Sequence, residues 1–288
     1  MQIKKFETTH IEEVVALWNN SVPSEAIYKP FTKESFIHKF INNPYFTFEG
    51  TFVAELDGKI VGFANGLCKN DDKAPDQTPG YVTCVAVDKP YQRQGIGSKL
   101  LMAVESYLKE QGKVVIRLLF FNPINLEWIV PNTIDHDHPN APAVPFNSPF
   151  YFLLMANGYN VGGQQQDAYH LNITDYELPK KVVDKNNENA KDGYTIEVYD
   201  ANKHFGFKEL FEALHNPGWY EATMNNLAKE TPDPMLVVQK DGEILGWTGP
   251  LFVQESGRGY FAGIGVHPNT QGRGLGKSLF CQLVYQSK

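Results

Sequence analysis

The chain has 288 residues, 42% of them hydrophobic, enough for one large domain or two ordinary ones that need neither a disulfide nor a structural metal. A formal net charge of -7 speaks against a nucleic-acid partner, which calls for clustered Lys and Arg, so an anionic ligand must be held by local geometry. Three cysteines, Cys68, Cys84 and Cys281, form no Cys-x-x-Cys pair, no stretch is long enough to span a bilayer and the first residues alternate like a strand; these features predict a cytoplasmic chain with no membrane partner.

In chain order, a strand over Gln2–Phe6 precedes a helix with Thr9 as cap, Glu12 as its capping-box partner and Ile11, Val14, Val15 and Trp18 on one face. A second helix follows near Thr32–Ile41. Strands are expected at Thr51–Leu56, Ile60–Leu67 and Tyr81–Val87, then a helix Gly97–Gln111 ending before Gly112, and a strand Val114–Phe120. The proline-rich stretch Asn122–Asn147 reads as a long loop. A helix Asn147–Asn157 and a hairpin of Gly158–Gly162 with Ala168–Ile173 close this part. After a polar linker, Asp184–Asp192, come a strand Tyr194–Tyr199 and a helix with Phe207, Leu210, Phe211 and Leu214 on one face.

Two strings recur in the same order, which points to an internal duplication. Asp57-Gly58-Lys59-Ile60-Val61-Gly62-Phe63 is echoed by Asp241-Gly242-Glu243-Ile244-Leu245-Gly246-Trp247, each an Asp-Gly hairpin between apolar strands. Downstream, Gln92-Arg93-Gln94-Gly95-Ile96-Gly97 is echoed by Gln271-Gly272-Arg273-Gly274-Leu275-Gly276. The predicted layout is a first domain 1–175, a linker 176–192 and a second domain 193–288. The second copy runs only to the helix Gly276–Ser287, so it is expected to hold only the front half of the pattern. On that reading strand Tyr260–Val266 would be an open edge beside a helix exposing Leu279, Leu283 and Val284, and either the chain is a truncated gene product or the first domain or a second subunit covers the gap.

In both copies an apolar strand ends near a proline, Val87-Asp88-Lys89-Pro90 or Val266-His267-Pro268, and a Gln-x-x-Gly-x-Gly turn then enters a helix. Glycines let the backbone approach a ligand, and helix-terminal N–H groups suit phosphate oxygens. Arg93 or Lys99, and Arg273 or Lys277, can add charge. The second loop, continued by Lys277 and Ser278, is one substitution from a Walker A loop, since Gln271 stands where the first glycine belongs. A nucleotide hydrolase is disfavoured because the chain ends soon afterwards and Ser98, not lysine, follows Gly97. Dinucleotide binding lacks the full Gly-x-Gly-x-x-Gly spacing and a surrounding βαβ unit.

The element order, with Val85-Ala86-Val87 through Gly97, resembles the GCN5-related N-acetyltransferase family, almost completely in the first copy and in the front half of the second. The resemblance implies an α+β fold, a mixed, splayed β-sheet flanked by helices, in two tandem acetyltransferase-like domains. It also implies acetyl-CoA as co-substrate, its pyrophosphate on Gln92, Arg93, Gln94, Gly95, Ile96, Gly97 and Ser98 and its pantetheine beside Cys84, Val85 and Val87. Val266 and Gln271, Gly272, Arg273, Gly274, Leu275, Gly276 and Lys277 are the matching positions of the second copy. The implied reaction is acetyl transfer to a primary amine of a small molecule or peptide, with a backbone N–H of Thr83–Val87 as oxyanion donor.

Aligning Asn147 and Gly158-Tyr159 with the family's frame puts Leu154 where a tyrosine acid is usual. Tyr151, on roughly the same helix face, is the substitute candidate, against a plain core role for Phe150–Leu153. The long loop offers His138, His136 or Asp137 as base, and a solvated structural loop is the bland alternative. Two imidazoles with flanking Asp residues fall short of a metal site. The competing function is a non-catalytic acyl-CoA-binding module.

Overall fold

A computed structural model describes residues 1–25, 28–69, 78–118, 122–129, 137–138, 144–163, 171–254, 257–260 and 262–288. Its contacts divide the chain into two units, Met1–Ala168 and Tyr169–Lys288. Among the described residues no helix is long and apolar enough to cross a membrane.

The first unit opens with β1 (Gln2–Lys5) and a 3-10 turn, Thr8–His10, leading into α1 (Ile11–Glu25). The start of this helix differs from the expected Thr9–Glu12 box: the His10 ring accepts from the Glu7 N–H at 3.0 Å, and Glu12 instead pairs with Lys33 at 2.7 Å. A histidine three residues past the cap does the work for which the usual rule looks to Glu or Gln. Next, α2 (Lys33–Phe36), capped by Thr32 and Ser35, runs on into a π-turn, Ile37–Ile41. Then come β2 (Thr51–Leu56), β3 (Lys59–Cys68), β4 (Gly80–Val87), α3 (Ile96–Glu110), β5 (Ile116–Arg117), β6 (Trp128–Ile129), β7 (Asp137–His138) and α4 (Pro149–Ala156). The main sheet runs β1-β2-β3-β4-β5, antiparallel until the parallel β4–β5 pair, while β6 and β7 pair separately.

Helices cover both faces of this sheet, which is why β3 reads as a continuous apolar run. Trp18, Phe36, Phe40 and Phe63 fill one layer; Leu100, Leu101, Val104 and Phe150 fill the other. The α3 layer is seated on glycines. A Cβ at Gly62 would lie 2.7 Å from Leu100, at Gly66 2.3 Å from Val104 and at Gly80 2.9 Å from Leu108. The i, i+4, i+8 ridge of α3 thus lies in a groove made by absent side chains, bringing the helix close to β3 and β4.

The second unit begins with α5 (Lys180–Lys191), followed by β8 (Thr195–Val198), α6 (Phe207–Ala213), α7 (Pro217–Leu227), β9 (Leu236–Lys240), β10 (Glu243–Thr248), β11 (Ile264–Val266) and α8 (Leu275–Gln286). Its sheet, β11-β10-β9-β8, is wholly antiparallel. β8 to α8 therefore repeats β1 to α3, and both Asp-Gly hairpins turn with positive φ at each central residue: 51° and 79° at Asp57 and Gly58, 52° and 86° at Asp241 and Gly242.

Four expectations are corrected. The polar stretch Asp184–Asp192 falls almost wholly in α5, which buries Val182 and Asn189 and has only Val182, Val183 and Ala190 as apolar residues. Leu279 and Leu283 are core residues, since α8 lays them against Leu236, Val238 and Leu245 of the sheet. Among the described residues, the strand expected over Tyr260–Val266 is limited to Ile264–Val266. Gly158–Gly162 carries no strand, and residues 164–170 lie outside the described residues.

Candidate functional site

The first glycine loop is built from the end of β4 outward. Asp88 is held on two sides, accepting from Ser21 Oγ at 3.1 Å and from Lys59 Nζ at 3.0 Å. The Lys59 ammonium also lies 5.2 Å from the centre of the Tyr91 ring. Gln92 folds back, its Nε2 donating to the Val87 carbonyl at 3.0 Å, so this side chain braces the loop. The backbone then turns through Arg93 at φ 60° and Gly95 at φ 79°, and α3 starts at Ile96 with Lys99 N–H bonding Gly95 O. The N–H groups of Ile96, Gly97 and Ser98 precede the first helical bond and so have no partner within the helix; with the helix dipole behind them they form an anion seat. Arg93, Gln94 and Gly95 are exposed beside it.

α4 buttresses this turn. Leu153 methyls stand 3.2 Å from where a Gly97 Cβ would be, and Asn157 Nδ2 donates to Ser98 Oγ at 3.1 Å and to Leu153 O at 2.7 Å. Among the predicted ligand positions, Cys84 and Val85 bury their side chains in opposite layers of the core, leaving backbone as what they can offer.

Among the described residues β5 pairs with β4 only at Gly80 and Tyr81, whereas β3 stays paired with β4 as far as Val87. The β3–β4 register jumps from Asn65↔Cys84 to Gly66↔Val82, which makes Thr83 the extra residue of a β-bulge. Asn122, past β5, donates to Thr83 Oγ1 and to Ile124 O, both at 3.3 Å, tying the segment after β5 to the bulge. Neither the bulge nor Asn122 is visible in apolar alternation, and only the pairing of strands exposes them.

Tyr151 sits in the first turn of α4, its N–H on the Ser148 cap and its ring 5.0 Å from that of Phe146. Leu154, three residues on, is buried and bears nothing titratable. Tyr159 donates to Glu105 at 2.9 Å; burial, with the Glu105 carboxylate beside it, pushes the phenol well above its ordinary range and keeps its proton in place. Asp137 and His138 supply the backbone of β7, paired with Ile129 and Trp128, while their side chains and His136 lie outside the described residues.

The second loop has the same backbone frame, with φ 82° at Gly272 and 73° at Gly274 and Ser278 N–H bonding Gly274 O. Gly272 occupies the place of Arg93, and Arg273 that of Gln94. Its surroundings differ. Asn189 Nδ2 donates to Arg273 O at 3.1 Å, and the Arg273 guanidinium pairs with Asp192 at 2.7 Å and lies 4.5 Å from the Tyr194 ring centre. Val266 ends β11 and Leu275 is buried, while Gly276 and Lys277 open α8.

The model of the acetyltransferase (GNAT) family matches this chain over residues 14–126 and again over 199–286. A curated relative, the putative [ribosomal protein bS18]-alanine N-acetyltransferase of Bacillus subtilis (strain 168), is 27% identical over 90 residues, 31% of this chain and 53% of that protein. Among solved structures, the GCN5-related glucosamine N-acetyltransferase region of a fungal multi-domain GH3 β-N-acetylglucosaminidase aligns with 99% of this chain at TM-score 0.58 and 17% identity. The alignment covers 33% of that fungal chain, so this chain spans about half of the curated relative and a third of the fungal protein. The aminoglycoside N-acetyltransferase AAC(6')-Iy, in complex with CoA, is 13% identical at TM-score 0.37, over 59% of this chain and 99% of that one.

Proposed function

Because this chain belongs to the acetyltransferase (GNAT) family, whose co-substrate is acetyl-CoA, we propose that its first unit transfers an acetyl group from acetyl-CoA to a primary amine of a small molecule or peptide. The observation that carries the reading is the juxtaposition of a glycine turn opening a helix, Gln92–Ser98, with the bulged strand β4 that leads into it. Diphosphate oxygens suit the N–H groups of Ile96–Ser98, with Arg93 adding charge. The thioester then lies along β4, where the bulge at Thr83 frees backbone from regular pairing to donate to the developing oxyanion.

The neutral amine attacks the thioester carbonyl, a C–N bond forms, the C–S bond breaks and the departing thiolate takes a proton. Tyr151 is the proposed donor of that proton, and His138, with Asp137 beside it, the proposed base for the amine. With Leu154 buried at the alternative position, no other residue of α4 bears an acidic proton in its side chain. The acceptor is proposed only as an amine: alanine termini, glucosamine and aminoglycosides are named for the similar proteins.

The test is thiol release from acetyl-CoA by the full chain, offered amino sugars, aminoglycosides, polyamines and peptides. Amine-dependent release that disappears in Gly95→Val supports transfer. Binding of acetyl-CoA without release for any amine would instead establish the non-catalytic module, and absence of binding would refute both.

A further inference from the structure

The two glycine loops share their backbone but not their surroundings, and from this we infer that the second loop takes no acetyl-CoA because the end of α5 already engages its arginine and sets a carboxylate beside the turn, leaving one cofactor site per chain. The inference rests on the reading of Gln92–Ser98 as that site. Both α5 and α8 belong to the second unit.

Three contacts define this arrangement. Asn189, 2% exposed in the last turn of α5, gives its amide to the Arg273 carbonyl and so fixes the Arg273–Gly274 peptide. Asp192, the residue after α5, places its carboxylate on the Arg273 guanidinium at 2.7 Å, neutralising one of the two cations there and setting a negative charge beside the turn, while Lys277 is exposed. The stem of Lys185, one turn earlier, comes within 3.5 Å of where a Cβ on Gly274 would stand. The carbonyl end of α5, with its partial negative charge, and a full carboxylate therefore stand at the N-terminal end of α8. An entering phosphate would meet Asp192 as a like charge and would have to displace it from Arg273.

At the first loop the matching elements are absent among the described residues: Gln94 stands where Arg273 does, and its Nε2 turns to the Pro90 carbonyl at 3.3 Å. Arg93 is exposed and its side chain makes no described hydrogen bond or ion pair. Among the described residues the arginine of the first loop has no partner, whereas that of the second is held by a carboxylate of its own unit.

Hydrogen–deuterium exchange on the full chain, with and without saturating acetyl-CoA, tests this. Acetyl-CoA should slow exchange across Gln92–Ser98 and leave Gln271–Lys277 unchanged within about twofold, the ordinary scatter of unprotected loops. Without acetyl-CoA, Asp192→Asn should speed exchange over Gly272–Lys277 about tenfold, the scale of one lost charge-assisted bond, and leave Gln92–Ser98 alone. Protection of both loops overturns the inference while upholding the first site. Protection of neither overturns the first site, and the variant still decides the inference, because unchanged exchange over Gly272–Lys277 in Asp192→Asn overturns it. Adding Asn189→Ala strengthens the perturbation, and the Asp192 variant alone keeps the buried amide should that pair fail to fold.

Discussion

Arg93 holds a left-handed backbone, φ 60°, at a place where the second copy has Gly272 at φ 82°. Replacing it with glycine should therefore stabilise the first unit while weakening its ligand. A Cβ in the left-handed region costs roughly 1–2 kcal/mol, and glycine gives back about 0.4–1 through the freer unfolded chain. Removing a cation from the N-terminal end of α3 adds about 0.3–1 in favour of the variant. The Arg93 side chain has no described partner to lose. The net expectation for Arg93→Gly is about 1 kcal/mol of added stability. Native-state exchange of the α3 amides in rising urea isolates the first unit from the second. Acetyl-CoA affinity should fall about tenfold in calorimetry at low salt, the scale of one charge-assisted contact, with the difference shrinking as salt screens it. A variant less stable than the parent, or of equal affinity at low salt, refutes the assignment of Arg93 to the ligand at the expense of backbone strain. The reciprocal Gly272→Arg should destabilise the second unit by about 1 kcal/mol and leave acetyl-CoA affinity unaltered.

Gly66→Ala drives a methyl to 2.3 Å from Val104 and should cost about 2–3 kcal/mol in urea unfolding, partly restored by adding Val104→Ala. Tyr151→Phe should lower kcat about 10²–10⁴-fold on the true acceptor with little change in acetyl-CoA affinity, and unchanged turnover would remove it as the acid. Cys84 is buried between the strand and α1, which pushes its thiol up from 9.0 to about 12. At pH 8 only about 10⁻⁴ of it is thiolate, so alkylation of the native chain at Cys84 should await unfolding. Because the unfolded thiol loses its proton first, this burial favours the unfolded chain increasingly as pH climbs from 9.0 to about 12, and stability there should fall.

Much of this molecule is legible in the sequence because local chemistry decides it. The Asp-Gly pairs at 57–58 and 241–242 demand positive φ at two successive residues, and both copies turn accordingly. The Gln-x-x-Gly-x-Gly strings dictate a strand-to-helix turn, and both loops share it whatever surrounds them. What only the tertiary structure decided is who meets whom. Helix α5 is polar enough to read as a linker, and its bearing on the second loop emerges only where Asn189 and Asp192 reach Arg273, more than 80 positions away. The bulge at Thr83 belongs to the register between β3 and β4, and the seat of α3 to a groove of Gly62, Gly66 and Gly80 on those two strands. Backbone turns follow from the few residues that form them, whereas the occupation of a site depends on long-range packing that no local pattern encodes.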